Sequence, residues 1–360
     1  MRLFFDARYI RTDFHDGISR YSAELAAAVH RAAPERGVEV TYLIHDDAQR
    51  ALLPDGVQTL KLHPPTSVHE PFAARVLNKH HPHVVFSPMQ TLGSAGRRYK
   101  LILTLHDTIY YRHRTPPRDL PWAVRVGWRL FHLTYVPQRV TLNAADVVAT
   151  VSETSARQFA AVGLTRRPVV VIPNAPQRLA ELLPSGVEVT GPPVRNLVYM
   201  GSFMPYKNVD TLVAAMRLLP EHTLHLLSRI TPERRAQLDA GGNVVFHNGV
   251  TDAAYAEALA DHAALVTTSL DEGYGLPVAE ALELGVPAVV TDMPIFREVA
   301  GDGALYVDPE DPMAVAEAVR SLDEPGVRDR LVAAGTAHIA TFSWERSAGI
   351  LLDTAIRLAR

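Results

Sequence analysis

Residues 272–280 read E-G-Y-G-L-P-V-A-E and follow the short apolar run Leu265 to Thr267. Glycines at 273 and 275 permit positive φ angles and close approach of the backbone, and Pro277 suits the first turn of a helix that begins at Leu276. A strand, a glycine turn and a helix in this order are typical of a parallel α/β sheet. In such sheets, ligands bind at the carboxyl ends of the strands.

The same alternation of short apolar runs and longer helical patterns extends along the chain. In the first half the predicted strands are Leu3 to Phe5, Val38 to Ile44, Val84 to Ser87, Leu101 to Leu105, Val147 to Val151 and Val169 to Ile172. In the second half they are Leu197 to Met200, Leu224 to Leu227, Val244 to His247, Leu265 to Thr267, Ala288 to Val290 and Ala304 to Val307. The pattern predicts two doubly wound Rossmann-like domains with a ligand cleft between them.

Domain boundaries follow from composition. Prolines and glycines interrupt the alternation at about 173–193, which predicts a linker between domain 1–175 and domain 176–342. Residues 343–360 form a predicted helix with Ser343 as N-cap, and we expect it to cross back to the first domain.

Composition narrows the classes of function. A net charge of -3 over 360 residues gives no general attraction to nucleic acid, so no nucleic-acid partner is expected. The absence of cysteine excludes disulfides, thiolate metal sites and a cysteine nucleophile. No leader pattern opens the sequence, and no apolar run reaches the roughly 18 residues of a spanning helix. We therefore expect a cytoplasmic protein whose membrane contact, if any, is peripheral at the inner face.

The nonapeptide also carries candidate chemistry. The amides at positions 275–278 of the predicted helix start attract phosphate, because the first amides of a helix lack internal partners. Glu272 precedes the turn and Glu280 lies about one turn inside the helix, so one carboxylate can accept bonds from a sugar and the other from a ribose. This indicates a nucleotide-sugar site. Gly-Tyr-Gly alone is more typical of a loop and a helix start beside two solvated glutamates, but the whole nonapeptide is harder to explain in that way.

Two further motifs follow predicted strands. His106 and Asp107 come after Leu101 to Leu105, where a histidine can bind a sugar hydroxyl, although one of 16 histidines is more often a structural donor. Lys207 lies in G-S-F-M-P-Y-K-N, residues 201–208, before a predicted helix from Val209 to Leu219. A lysine there is unfavourable beside the helix dipole unless an anion is bound, which favours a diphosphate ligand over a surface lysine.

A third motif, D-F-H-D-G-I-S-R-Y at 13–21, lies in the first predicted strand-to-helix loop. Gly17 permits close approach of the backbone to a diphosphate or a sugar. Asp16, Ser19 and Arg20 are individually more typical of helix capping and solvation.

Taken together, these motifs resemble the retaining family-four glycosyltransferases of the two-domain GT-B fold over nearly the whole chain. The residues that carry the resemblance are D-F-H-D-G-I-S-R-Y at 13–21, H-D at 106, A-D-V-V-A-T-V-S-E at 145–153, I-P-N at 172–174, the 201–208 motif, F-H-N-G-V-T-D at 246–252, the 272–280 motif and F-S-W-E near the end.

The resemblance implies roles for individual residues. It places Glu272 at the transferred sugar, Glu280 at the nucleotide ribose and Lys207 at the diphosphate, with His106 contacting the donor sugar. It also implies that Gly17 lies near the diphosphate and that the backbone at Val250 meets the base. The remaining expected donor-binding residues are Ser202, Tyr274, Gly275, Leu276, Pro277 and Val278.

One position departs from the family pattern. Relatives commonly carry arginine beside the lysine, whereas this chain has Tyr206, which puts a second positive charge on the diphosphate in doubt unless Arg229 compensates. The family pattern implies transfer with retention, in which the leaving diphosphate assists deprotonation of the acceptor. No metal and no cofactor beyond the donor are expected, because the sequence has no D-x-D triplet and a lysine with a helix terminus can replace a cation.

The substrates are less defined by sequence. The motif variants look most like bacterial mannosyltransferases of polysaccharide assembly, which favours GDP-mannose, although rhamnosyl and glucosyl enzymes share them. The acceptor is expected to be a glycan, a lipid-linked molecule or a small molecule. Residues 112–132 interleave Arg112, Arg114, Arg118, Arg125 and Arg129 with Trp122, Trp128 and Phe131. This mixture suits a membrane interface or a lipid-linked acceptor, and equally a helix with its aromatics packed inward.

Other classes remain to be separated. A sugar-nucleotide epimerase or a phosphorylase of the same fold, and a catalytically silent nucleotide-sugar-binding protein, are the alternatives. A nicotinamide dehydrogenase is disfavoured because neither domain opens with G-x-G-x-x-G, and a P-loop is also missing.

Overall fold

The computed structural model describes residues 1–13, 17–116, 122–238 and 241–360. Residues 14–16 of the motif at 13–21 and Arg118 of the segment 112–132 lie outside the described residues. The chain divides into two compact units, one formed by Met1–Asn174 with Ser343–Arg360 and the other by Ala175–Phe342. Each unit contains one parallel sheet.

The first unit is built on a seven-stranded sheet in the order β3-β2-β1-β4-β5-β6-β7. Its strands are β1 (Arg2–Asp6), β2 (Glu39–Ile44), β3 (Gln58–Lys61), β4 (Val84–Ser87), β5 (Lys100–Thr104), β6 (Val147–Thr150) and β7 (Val169–Val171). The described helices of this unit are α1 (Gly17–Ala32), α2 (Ala73–Leu77), α3 (Ile109–Arg112), α4 (Trp122–Phe131), α5 (Val136–Asn143), α6 (Glu153–Ala161) and the carboxy-terminal α14 (Trp344–Ala359).

The second unit is built on a six-stranded sheet in the order β10-β9-β8-β11-β12-β13. Its strands are β8 (Asn196–Tyr199), β9 (Thr223–Leu226), β10 (Val244–Phe246), β11 (Ala263–Thr267), β12 (Ala288–Thr291) and β13 (Ala304–Val307). The described helices are α7 (Val209–Met216), α8 (Pro232–Gln237), α9 (Asp252–Ala260), α10 (Leu276–Glu283), α11 (Pro294–Ala300), α12 (Pro312–Ser321) and α13 (Val327–Ile339).

Central strands are apolar on both faces because helices cover both sides of each sheet. Every residue of β4, β6, β11 and β12 is buried, as expected for parallel strands between two helical layers. The predicted strands are therefore found, and the prediction of two Rossmann-like α/β domains is confirmed.

Strand order determines where ligands can reach each sheet. Both sheets follow the order 3-2-1-4-5-6 in their own strand numbering, with a seventh strand added in the first. The direction of winding reverses between β1 and β4 in the first unit, and between β8 and β11 in the second. Loops that leave the carboxyl ends of these neighbouring strands diverge and leave a crevice there.

Three details differ from the sequence-based expectation or add to it. Strand β3 was missed because it is a short edge strand whose residues are exposed or half-buried, so its apolar signal is weak. Helix α7 ends at Met216, three residues before the predicted Leu219. The Ser343 hydroxyl accepts a bond from the Arg346 amide at 3.2 Å, as predicted for an N-cap.

Helix α14 packs against α1 within the first unit. The ring of Trp344 lies 5.9 Å from that of Tyr21, and Glu345 forms an exposed ion pair with Arg31 at 2.8 Å. The apolar stripe of α14 is buried at Leu351 and Leu352, so hydrophobic burial rather than the surface ion pair holds this helix in place. Among the described residues, no helix is long and apolar enough to cross a membrane.

Candidate functional site

Two loops meet at the winding reversal of the second unit. One follows β8 and carries Lys207, and the other follows β11 and carries Glu272. The amide of Leu270 donates to the carbonyl of Tyr206 at 2.7 Å, and the Thr268 hydroxyl donates to the carbonyl of Asn208 at 2.9 Å. These bonds fasten the two loops together before any ligand is present.

Lys207 and Glu272 form an ion pair at the junction of these loops. The Lys207 Nζ lies 2.5 Å from the Glu272 Oε1, and the two side chains are only 15 % and 13 % exposed. Two predicted site residues that are 65 positions apart are thus in direct contact. An anion that reaches the pair meets a largely desolvated ammonium whose charge Glu272 already compensates in part, so the anion competes with Glu272 for the lysine.

Tyr206 occupies the position where relatives commonly carry arginine. The Lys207 Nζ lies 5.4 Å from the centre of the Tyr206 ring, within the range of a cation–π contact. The tyrosine therefore stabilises the lysine charge in place and adds no second charge of its own.

Helix α10 begins at the end of the second loop. Its N-cap, Gly275, has φ +92°, a left-handed conformation that favours glycine. A Cβ at this position would lie 2.7 Å from Cε1 of Phe296, so side-chain volume is excluded as well. Both reasons explain why the turn requires glycine here.

The predicted row of four free amides at this helix start is wrong in part. Pro277 has no N–H, and the amide of Val278 donates to the carbonyl of Gly275 at 3.0 Å as part of the helix. The amides of Gly275 and Leu276 are the remaining candidates for an anion.

Glu280 and Tyr274 both face the interior of the second unit. Glu280 is 2 % exposed, on the first turns of α10 as its spacing predicted. Tyr274 is also buried, its hydroxyl has no partner among the described atoms, and burial raises its pKa. Its ring lies 6.2 Å from that of Phe342, so only its main chain is available to a ligand.

The remaining residues predicted for the donor lie on other loops of the second unit. Ser202 is exposed after β8, and its carbonyl accepts a bond from the Tyr199 hydroxyl at 2.7 Å. Val250 is half-buried after β10, next to Gly249 with φ +102°. The side chain of Arg229 packs over Gly249, which puts an exposed cation beside the Val250 loop.

His106 and Gly17 belong to the first unit. His106 follows β5, and its Nε2 lies 2.9 Å from the Pro88 carbonyl, which can only accept, so this nitrogen carries the proton. The Tyr21 ring packs edge-on at 5.1 Å and fixes the imidazole plane. Gly17 is exposed at the first position of α1.

A buried ionic network at the carboxyl end of β1 was not predicted from sequence. The Arg8 guanidinium donates to both oxygens of Asp6 at 2.7 and 2.9 Å and to both oxygens of Glu70 at 2.8 and 2.9 Å. The Ser87 hydroxyl donates to Asp6 at 3.0 Å. The network ties the loop after β1 to the segment between β3 and α2 and to the end of β4, and Glu70 and Ser87 are too far from Asp6 and Arg8 in sequence to form a motif with them.

The described residues contain no group of three or more histidine, cysteine, aspartate or glutamate side chains placed to hold a metal ion.

Comparison with known proteins agrees with this architecture. A family model described as Glycosyltransferase Family 4 matches residues 15–175, and one described as Glycosyl transferases group 1 matches residues 194–324. The two matches fall on the two sheets in turn. The chain belongs to the family-four glycosyltransferases. Within this family, it is similar to O-antigen chain mannosyltransferase B of Escherichia coli, with 32 % identity over 160 residues.

That match covers 41 % of this chain and 42 % of the relative, so the chain spans less than half the length of the curated protein it matches. Solved structures align over much more of the chain. Sucrose-phosphate synthase of Thermosynechococcus elongatus has a TM-score of 0.75 at 19 % identity over 99 % of this chain and 98 % of its own. HepE of Anabaena, solved with UDP-glucose, has a TM-score of 0.73 at 15 % identity over 99 % of both. The fold of this family-four glycosyltransferase is GT-B.

Proposed function

We propose that this family-four protein transfers a glycosyl group from a nucleoside diphosphate sugar to an acceptor with retention at the anomeric carbon. The observation that carries the proposal is the Lys207–Glu272 pair at the winding reversal of the second sheet, beside the start of α10. A cation and helix amides provide positive potential for a diphosphate, and the neighbouring carboxylate can accept hydrogen bonds from sugar hydroxyls.

In the proposed reaction, the bond between the anomeric carbon and the β-phosphate oxygen breaks and the acceptor oxygen forms the new bond on the same face. The acceptor proton passes to the departing diphosphate. Negative charge grows on that leaving group in the transition state, so Lys207 and the amides of Gly275 and Leu276 stabilise it more strongly than the ground state. Glu280 is proposed to hold the ribose, and His106 to contact the transferred sugar.

No metal ion and no further cofactor are part of this proposal. We propose that Lys207 supplies positive charge to the diphosphate in place of a divalent cation. The buried packing of its partner Glu272 keeps the ammonium at the loop junction rather than in solvent.

We propose GDP-mannose as the donor because the chain is similar to an O-antigen mannosyltransferase. The proposed acceptor is a glycan, a lipid-linked molecule or a small molecule. We also propose a cytoplasmic location with peripheral membrane contact.

A thermal-shift panel of nucleotide sugars identifies the donor, since a ligand at 100 times its dissociation constant adds about 2.7 kcal/mol of stability. Incubation of the bound donor with an acceptor panel then tests transfer. The proposal is supported if NMR shows a glycosylated product with retained anomeric configuration and if free nucleoside diphosphate is released. An epimerised donor indicates an epimerase, and transfer to inorganic phosphate indicates a phosphorylase.

A silent binding protein is the second candidate, because Tyr206 occupies the position where relatives commonly carry arginine. Calorimetry that shows donor binding without transfer or hydrolysis over the whole panel would establish it. Replacing Tyr206 by arginine in the same assay measures what the missing charge contributes.

A further inference from the structure

Three polar side chains form a row across one face of the second sheet. Strand β9 pairs in parallel with β8 and with β10, and Val245 of β10 lies opposite His225 of β9. Side chains two residues apart along a strand project from the same face, so Asn196 of β8, His225 and His247 all share one face. Val245 on this face is 39 % exposed and His247 is exposed, so solvent and ions reach the two histidines at the edge of the sheet.

A chain of hydrogen bonds determines which ring nitrogen of His225 carries the proton. The Asn196 Nδ2 donates to the carbonyl of Asp261 at 2.7 Å and to its Oδ2 at 3.1 Å. The Asn196 Oδ1 is therefore the acceptor that lies 3.1 Å from the His225 Nε2, and this nitrogen carries the proton. The neutral ring then has a lone pair on Nδ1. Histidines that bind metal ions have the same arrangement, because they donate their other ring N–H to an oxygen acceptor.

The lone pair of His225 is directed at the second imidazole. The His225 Nδ1 lies 3.0 Å from the His247 Nε2, so the His247 Nε2 donates a hydrogen bond to it. The ring centres are 5.2 Å apart, with an angle of 34° between the ring planes. Burial, followed by the nearby His247, lowers the pKa of His225 below its ordinary value, so this ring is neutral at neutral pH. The neutral form of histidine is the one that binds a metal ion.

The distance between the two nitrogens indicates which ions fit. With metal–nitrogen bonds of about 2.0–2.1 Å, a separation of 3.0 Å corresponds to a nitrogen–metal–nitrogen angle of about 91–97°. This is close to the right angle between neighbouring ligands in square-planar or octahedral coordination, whereas a tetrahedral zinc ion needs a separation of about 3.3–3.4 Å. Cu²⁺ and Ni²⁺ therefore fit the two nitrogens better than Zn²⁺.

We propose that His225 and His247 bind a divalent transition-metal ion, Cu²⁺ or Ni²⁺, with water in the remaining coordination positions. On binding, the His247 proton moves from Nε2 to Nδ1, so both rings stay neutral and each contributes one lone pair. The His247 ring turns until the two lone pairs converge on the ion, because its side chain is exposed and χ2 of histidine is a soft torsion. The chain has no cysteine, so no thiolate competes for the ion.

The bound ion would connect two strands of the sheet. Strand β10 is three residues long and lies at the sheet edge, and His247 directly follows it. An ion shared between His225 and His247 joins the end of this short strand to β9. Neither histidine belongs to the residues that are proposed to bind the donor, so the ion site is separate from the diphosphate site.

Metal titration of the full chain, without a histidine tag, tests the proposal. After treatment with a chelator, we expect the pair to bind one Cu²⁺ ion per chain, Ni²⁺ to bind at least as tightly as Zn²⁺, and Mg²⁺ not to compete. The electron paramagnetic resonance spectrum of the Cu²⁺ complex should show two imidazole nitrogen ligands. Asn196→Leu releases the His225 tautomer and should weaken Cu²⁺ binding about 10- to 100-fold, whereas His247→Gln removes a ligand and should weaken it further.

His69→Gln is the matched control. His69 is exposed, and its ring centre lies 6.2 Å from that of His63, so this variant also removes one member of a histidine pair. The His63 Nε2, however, lies 2.9 Å from the Glu70 Oε2 and is held by that carboxylate. We therefore expect His69→Gln to keep the wild-type affinity for Cu²⁺.

Several results would overturn the proposal. These are wild-type Cu²⁺ affinity in His247→Gln with an unchanged circular dichroism spectrum, an equal loss of affinity in His69→Gln, and tighter binding of Zn²⁺ than of Ni²⁺. A resonance spectrum of the wild-type complex with fewer than two nitrogen ligands is another, and it does not depend on how a variant folds. Since none of these measurements uses a donor sugar, failure here leaves the proposed transferase activity untouched.

Discussion

Replacing Lys207 alone, and together with Glu272, separates a role in ligand binding from a role in holding the protein together. The pair has both side chains about 85 % buried, with Nζ and Oε1 2.5 Å apart. In the Lys207→Met variant, the Glu272 carboxylate keeps its charge but loses its partner. In the Lys207→Met, Glu272→Gln double variant, both charges are removed and the volumes are nearly kept.

The expected loss of stability in the single variant lies between two known limits. Exposed ion pairs contribute about 0–1 kcal/mol, whereas breaking a buried pair costs about 3–5 kcal/mol. Because this pair is largely but not fully buried, we expect Lys207→Met to lower the free energy of unfolding by about 2 kcal/mol. For a unit of this size that corresponds to a fall in Tm of roughly 4–8 °C. The double variant should recover most of the lost free energy of unfolding, because no unpaired buried charge remains.

Transfer should behave differently from stability. Loss of a hydrogen bond to a charged group weakens binding by about 1.5–3 kcal/mol, so donor affinity should fall about 10- to 150-fold in both variants. Loss of a preorganised transition-state contact lowers kcat by about 10²–10³. The double variant should therefore be stable and inactive.

Differential scanning calorimetry gives the stability of each variant, isothermal titration gives the donor affinity, and the product assay gives kcat/KM. Glu272→Gln alone serves as the control that keeps the lysine. Should the double variant regain wild-type kcat/KM with its stability, Lys207 would serve only to neutralise Glu272, and the proposed contact with the diphosphate would be refuted.

Three more predictions concern the loops and the core. Gly275→Ala should lower the free energy of unfolding by about 1–3 kcal/mol because of the positive φ, and further because the new Cβ would contact Phe296. Gly56→Ala is the control, since Gly56 has a positive φ but open space around it. If Gly275→Ala lost no more stability than Gly56→Ala, the steric argument would be contradicted. Thr268→Val removes the hydrogen bond from the Thr268 hydroxyl to the Asn208 carbonyl, so it should lower the free energy of unfolding by about 1 kcal/mol and weaken donor binding by loosening the two loops. Unchanged donor affinity in calorimetric titrations would show that donor binding does not need this hydrogen bond. Burial lowers the pKa of His222 below its ordinary 6.5, so the unfolded chain binds the proton more readily and stability should fall as pH decreases below 6.5. Among the residues that the structure describes, neither ring nitrogen of His222 has a hydrogen-bond partner, so His222→Leu should reduce the loss of stability at low pH measured in urea titrations. An identical pH dependence would exclude His222 as a cause.

Much of the architecture was predictable because its signal is local. The apolar runs that became β4, β6, β11 and β12 are buried on both faces, so nearly every residue in them contributes to the pattern. Strand β3 was missed because it lies at a sheet edge, where half-buried residues carry little hydrophobic signal.

The helix start at α10 shows the limit of reasoning from spacing. The glycine turn at 275 and the position of Glu280 in the first turns of the helix were expected from local chemistry, and α10 has both. The burial of Glu280 was not predicted. The number of available amides was overestimated, because the helix itself uses the Val278 amide. The burial of Tyr274 was also not visible in the motif, because its packing partner Phe342 is distant in sequence.

Long-range contacts explain the features that sequence did not reveal. The network of Arg8 with Asp6 and Glu70 joins residues 62 positions apart, and no short motif records such a contact. The outward orientation of Trp122 and the inward orientation of Trp128 depend on which face of α4 meets Tyr110. An amphipathic pattern alone cannot distinguish a face that packs from a face that stays open.

By itself, the amino-acid sequence determined the alternation of strands and helices, the glycine at the turn and the residue types available for an anion site. These depend on periodicity and backbone conformation, which neighbouring residues control. Only the tertiary structure decided that Lys207 and Glu272 touch, because strands β8 and β11 become neighbours through the order of the sheet. Hydrogen bonds between their loops then bring the two charges to 2.5 Å, a distance that no spacing along the chain encodes.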